Sequence, residues 1–128
     1  MKIIFVLLLT LTFTSCISLF DNTTNTFLKE QYNLRASDKA IVFIRGGDAT
    51  TDNSIHIFLT GYEHDLNDKD KGNIFTADTD FSKTVIDSTT INVTWQSNDS
   101  LTVTYDKKLR VFEQKNKLDH FTINYVAK

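Results

Sequence analysis

Ile91-Asn92-Val93-Thr94-Trp95-Gln96-Ser97-Asn98-Asp99-Ser100-Leu101-Thr102-Val103-Thr104-Tyr105 is the stretch that decides the fold. Ile91, Val93 and Trp95 alternate with Asn92 and Thr94, and Leu101, Val103 and Tyr105 alternate with Thr102 and Thr104. A period of two puts one set of side chains on a buried face and the other in water. Ser97-Asn98-Asp99 between the runs is turn chemistry, so the segment reads as a β-hairpin.

Outward from this hairpin the same signature recurs. Ala40-Ile41-Val42-Phe43-Ile44 is apolar at every position, as a strand buried on both faces would be. Ile55, Ile57 and Leu59 alternate with His56, Phe58 and Thr60. Asn73-Ile74-Phe75-Thr76, Arg110-Val111-Phe112-Glu113 and a run from His120 to Val126 supply three more candidates, the last reached through Lys115-Asn116-Lys117. About seven short strands without a long helical period between them predict an all-β fold, a small antiparallel β-sandwich or barrel. Phe27-Leu28-Lys29-Glu30-Gln31-Tyr32-Asn33-Leu34 stays open between a short helix, since Leu28 and Tyr32 are four apart, and an edge segment.

The N-terminus carries an address. Lys2 precedes an apolar run over residues 3–11 and the small-residue approach Thr12-Phe13-Thr14-Ser15-Cys16, the layout of a secretory signal peptide. The run falls well short of the roughly 20 residues that a membrane-spanning helix needs. Leu11-Thr12-Phe13-Thr14-Ser15-Cys16 resembles the bacterial lipobox, with Thr14 and Ser15 at its small positions and Phe13 where an aliphatic residue is usual. The resemblance implies cleavage before Cys16, lipid on the Cys16 thiol and a stable hold on the membrane, because several acyl chains anchor where one does not. Ile17 after the cysteine, with no Asp there, resembles lipoproteins sent on to an outer membrane. The expected organisation is a signal peptide over 1–15, the lipidated cysteine and a tether over 16–38, and a β-rich domain over 39–128.

Removing the first 15 of 128 residues leaves one domain's worth of chain, with 13 basic residues against 16 acidic ones and a net charge of −3. On that balance neither nucleic acid nor an acidic lipid surface is an expected partner. Cys16 is the chain's one cysteine, so the domain has no disulfide and depends on its core, to which ten Phe, four Tyr and one Trp contribute. Charge is uneven: residues 48–80 hold eight acids and two bases, residues 105–117 five bases and two acids. Lys107, Lys108 and Arg110 are the candidate charged binding surface, able to steer a protein partner.

The strings A-I-V-F-I-R-G-G-D-A-T-T over 40–51, G-N-I-F-T-A-D over 72–78, I-N-V-T-W over 91–95 and D-S-L-T-V-T-Y-D-K-K-L-R-V-F over 99–112 resemble a family of small bacterial envelope lipoproteins of unknown function. The likeness runs from about Lys39 to Tyr125. It implies a compact β-rich fold and no reaction or ligand.

Catalytic and metal motifs are missing. His56, His64 and His120 fall in no H-E-x-x-H or similar spacing, and no G-x-S-x-G elbow is present. Gly46-Gly47-Asp48 lacks the P-loop spacing and reads as a glycine turn. Glu63-His64-Asp65-Leu66-Asn67-Asp68-Lys69-Asp70 gathers oxygen ligands, yet counted from Asp65 it puts Lys69 at the fifth EF-hand position and Thr76 at the twelfth, and a solvated hairpin loop is the better account. Alternation assigns Trp95 and Tyr105 to the core instead of to a sugar-stacking face. The expectation is a membrane-anchored, non-catalytic protein without cofactor or metal, whose β-domain binds or supports another envelope component. The alternatives are a ligand-binding or hydrolytic site built from loops 46–53 and 61–72, and an immunity or inhibitor lipoprotein.

Overall fold

A computed structural model of the chain describes residues 23–46 and 53–128. The signal peptide, Cys16 and the Gly47-Asp48 turn lie outside the described residues. Those described form nine strands and no helix: β1 (Thr24–Tyr32), β2 (Asp38–Gly46), β3 (Ser54–Gly61), β4 (Phe75–Asp78), β5 (Ile91–Trp95), β6 (Ser100–Tyr105), β7 (Arg110–Gln114), β8 (Lys117–Leu118) and β9 (Phe121–Ala127). One sheet has the order β1-β2-β3-β4-β7, the other β5-β6-β9-β8. The fold is the expected small β-sandwich, and all seven strands read from the sequence are present.

The hairpin that decided the fold pairs as its alternation requires, Ile91 opposite Tyr105 and Trp95 opposite Leu101. Its apolar face, with Ile91, Trp95, Leu101 and Val103, packs on Val42, Ile55, Ile57, Phe75 and Ala77 of the other sheet to make one core. Side chains tie the sheets together: the Trp95 indole N–H donates to the Gln31 carbonyl at 3.0 Å. The Tyr125 hydroxyl lies 2.9 Å from the Ile74 carbonyl and 2.6 Å from that of Lys115.

Three features differ from the sequence reading. Residues 24–32, expected within the tether, form the edge strand β1, paired with β2 over eight positions from Thr24 opposite Gly46 to Tyr32 opposite Lys39. Residues 24–32 therefore belong to the sheet ahead of Lys39, and the helix alternative for residues 27–34 falls. A bulge at Leu28 inserts one residue between the Phe27 and Lys29 pairs and breaks the period of two within this strand. The second difference is that β6 and β9 run parallel, Ser100 opposite Thr122, within an otherwise antiparallel pattern. The third is that β2 is buried on both faces as expected, but its second cover is a loop. Residues 62–74 fold over the outer face of the five-stranded sheet, above Ile41 and Phe43, with Gly72 N–H bonded to His56 Nδ1 at 2.9 Å. A Cβ at Gly72 would meet the Phe75 carbonyl oxygen at 2.5 Å, so only glycine lets the loop lie this close.

Candidate functional site

Strand register sorts the loops into two ends. Thr24 lies opposite Gly46, Arg45 opposite Ser54, Ser54 opposite Asp78 and Asp78 opposite Arg110. One end, called the near end here, therefore holds the start of β1, the loop 79–90 and the turn 106–109. The Thr84 hydroxyl joins that loop to that turn by donating to Asp106 at 3.3 Å. The far end holds the turns 33–37 and 96–99 and the first residues after β3: Arg35 N–H donates to Asn98 Oδ1 at 2.9 Å, and Tyr62 N–H to the Ser37 carbonyl at 3.1 Å.

At the near end, β4 and β7 bring Asp78 and Arg110 together from 32 residues apart. Arg110 Nε and Nη2 reach the two oxygens of Asp78 at 3.1 and 2.5 Å, a fork-to-fork ion pair. The arginine's hydrogen bonds hold the buried Asp78 carboxyl below the usual carboxylate range against the opposing effect of burial. The guanidinium carbon also lies over two aromatic rings, 4.9 Å from the ring centre of Phe81 and 5.0 Å from that of Phe112. These rings are exposed, Phe81 at 76% and Phe112 at 63%, and Val85 in the same loop reaches 79%. Phe112 is the extra residue of a bulge, since its neighbours Val111 and Glu113 pair with the adjacent Ala77 and Thr76. A bulge on an edge strand re-aims a side chain and interrupts pairing with other chains.

Phe81 is held out by strain. Asp80, Phe81 and Ser82 have φ of 49°, 59° and 64°, three successive left-handed residues with no glycine among them. Each costs on the order of 1–2 kcal/mol. Local bonds offset this: Asp80 N–H to Asp78 Oδ1 at 2.8 Å, Ser82 N–H to Thr79 Oγ1 at 3.0 Å, Lys83 N–H to the Thr79 carbonyl at 2.9 Å and Lys83 Nζ to Asp80 at 3.0 Å.

The three basic residues singled out from the sequence all lie at the near end but separate there. Lys107 and Lys108 line a shallow groove of about 370 Å³ with Lys128 and the hydroxyl-bearing Thr89, Thr90 and Thr104. Arg110 belongs to the other sheet and is committed to Asp78 and its two rings. Phe81 and Asp78 were not expected as site residues; the available signal was a lone aromatic within the polar run Asp78-Thr79-Asp80-Phe81-Ser82-Lys83.

Ser54 and His56 approach as a nucleophile and base would, Oγ to Nε2 at 2.8 Å. The proton stands on the wrong atom for catalysis. Gly72 N–H can only donate, so His56 Nδ1 accepts, Nε2 carries the hydrogen and gives it to Ser54, and the Ser54 hydroxyl donates to the Arg45 carbonyl at 3.2 Å. Burial first, then the charges of Arg45 and Lys71, lower the imidazole pKa to about 4, keeping the ring neutral. The pair is a structural relay, and its serine is not activated.

The acidic loop is filled from within. Arg45 Nη1 donates to the carbonyls of Asp68 at 2.9 Å and Asp70 at 3.0 Å, and Asn25 Nδ2 to those of Asn67 at 2.7 Å and Asp70 at 2.8 Å. Asp70 also accepts from His64 Nε2 at 2.7 Å and Asn67 N–H at 2.9 Å. A guanidinium and an amide thus take up the carbonyls of Asn67, Asp68 and Asp70. Among the described residues no three His, Cys, Asp or Glu side chains gather as a metal site.

The far end offers a different surface. Leu34 is 70% and Tyr62 53% exposed, Tyr32 is partly so, and an open groove of about 510 Å³ runs along Ser37, Gly61, Tyr62, Glu63 and His64. No protein-family profile, curated protein or solved structure matches the chain.

Proposed function

We propose that this chain is a lipid-anchored protein of the bacterial cell envelope, cleaved before Cys16 and held by acyl groups on that residue, whose non-catalytic β-domain binds another envelope component, a protein. The observation that carries this reading is the position of Cys16. The chain's one cysteine closes the N-terminal apolar run, and seven residues separate it from Thr24, the first residue of strand β1. No helix among the described residues is long and apolar enough to cross a membrane. Ile17 in place of Asp favours the outer membrane in a cell with two membranes.

The binding role is supported by the far end. Leu34, Tyr32 and Tyr62 are exposed beside a groove, and aromatic side chains with a polar tip are enriched at protein interfaces. The non-catalytic role is supported by the Ser54–His56 relay, in which the histidine donates to the serine.

Metabolic labelling with a fatty-acid analogue tests the anchor: wild type takes up label and Cys16→Ser does not, whereas equal labelling overturns it. A photo-crosslinker in place of Tyr62, used in cells, tests the binding surface. One recurrent adduct at 62 that is absent with the crosslinker at Asn92, on the other sheet, is expected; adducts alike at both positions defeat it.

A further inference from the structure

We infer that the near end of the sandwich rests on the membrane itself, with Phe81, Val85 and Phe112 set into the boundary between phospholipid headgroups and acyl chains, and with Lys107 and Lys108 at the level of the phosphates. The inference rests on the proposed acylation of Cys16. Residues 17–23 and the flanking bonds span at most about 28 Å between Cys16 and Thr24. Four strand spacings of about 4.8 Å separate β1 from β7, so Arg110 lies roughly 19 Å across the sheet from Thr24. The whole near end is within reach of a bilayer that holds Cys16. The far end stands about a nine-residue strand, roughly 30 Å, further out.

What the near end shows is what a lipid interface selects. Exposed apolar side chains sit beside cations on long apolar stems, which can bury the stem and leave the charge among headgroups. Phe81 and Val85 come from one loop and Phe112 from the neighbouring edge strand, joined through the Arg110 guanidinium. Among the described residues, five acids here are turned to internal work: Asp78 holds Arg110, Asp80 holds Lys83, Asp87 accepts from Thr89, Asp106 accepts from Lys108 N–H and Thr84, and Asp68 of the acidic loop accepts from Asn25 N–H. Lys107 and Lys108 form no ion pair among the described residues. A net charge of −3 gives no long-range pull toward an acidic surface. The contact is instead short-ranged and apolar, and the lipid anchor supplies the proximity.

The test uses the acylated mature protein, purified from membranes and placed in vesicles of phosphatidylcholine alone or with added phosphatidylglycerol. Because Cys16 is the chain's one cysteine and is blocked by lipid, a second cysteine takes an environment-sensitive dye alone. Phe81→Cys and Val85→Cys are the reporters and Tyr62→Cys is the control. Dyes at 81 and 85 are expected to shift to the blue and lose access to an aqueous quencher in both kinds of vesicle, while dye at 62 stays accessible. Equal quencher access at 81, 85 and 62 on acylated protein overturns the inference and leaves the anchor standing. Protection of 81 on native membranes but not on protein-free vesicles assigns the surface to a protein partner and likewise overturns it. An unmodified Cys16 by mass spectrometry overturns the anchoring reading and this inference with it.

Discussion

Acidification from pH 6.5 toward 4 should destabilise this domain, and His56 is the reason. The ring is buried on the outer face of the five-stranded sheet, stacked on Phe43 with ring centres 5.3 Å apart, and receives the Gly72 N–H on Nδ1. Protonation would place a charge in that site, set Nδ1–H against Gly72 N–H, and add repulsion from Arg45 and Lys71. The folded pKa of about 4 lies below the ordinary 6.5, so the neutral ring contributes stability that is complete above pH 6.5. This stability drains away as pH falls toward 4 and is gone below it. At about 1.36 kcal/mol per pH unit the gap corresponds to roughly 3.4 kcal/mol, and solvent screening of the partly wetted ring reduces this to about 2 kcal/mol. Urea denaturation at half-unit steps from pH 7.5 to 4 measures it: the midpoint should fall by about 1–2 M across that window. His56→Asn keeps an acceptor for Gly72 N–H but cannot titrate; it should be less stable at pH 7 and nearly flat from 6.5 to 4.5. A wild-type midpoint constant over that range, or a variant with the wild-type slope, would refute the reasoning.

Arg110→Ala leaves the buried Asp78 carboxylate without its fork and should cost about 2–3 kcal/mol in chemical denaturation. Arg110→Lys should recover little of this, since an ammonium can neither pair side-on with Asp78 nor stack flat on the rings of Phe81 and Phe112. The same pair makes wild type lose stability as pH falls through and below about 3.8, because the folded pKa of Asp78 is depressed; that dependence should be weaker in Arg110→Ala. Gly72→Ala should lower the melting temperature by the equivalent of about 1–3 kcal/mol, as its methyl must displace a backbone carbonyl. Ser82→Gly, at φ 64°, should stabilise by up to about 1 kcal/mol by relieving the left-handed turn, a gain visible in thermal melts. Trp95→Phe should cost about 1 kcal/mol or more through the lost bond to the Gln31 carbonyl.

Where a strand obeys the period of two, the sequence sufficed to find it. The register of the 91–105 hairpin and the double burial of β2 both follow from which positions are apolar. Legibility failed at irregularities. The Leu28 bulge disguised β1, and the parallel pairing of β6 with β9 leaves no local trace because it joins segments separated by β7 and β8. The near-end cluster was half legible: Lys107, Lys108 and Arg110 stood out by charge. Only the β4–β7 register reveals that Arg110 is bound to Asp78 and lies over Phe81 and Phe112. The acidic loop was rightly not read as an EF-hand, but its bonds to Arg45 and Asn25, from strands far off in sequence, left no local trace.

The place where the chain enters β1 also decides how the domain bears force. Under the anchoring at Cys16 proposed above, a pull between membrane and far end runs along β1, whose bonds to β2 lie across the strand direction over eight paired positions. Load applied along a strand in this way falls on the whole ladder together as shear, whereas the same strand entered from its other end would open one rung at a time. A tug on a partner held at the far end is met by the full length of β1.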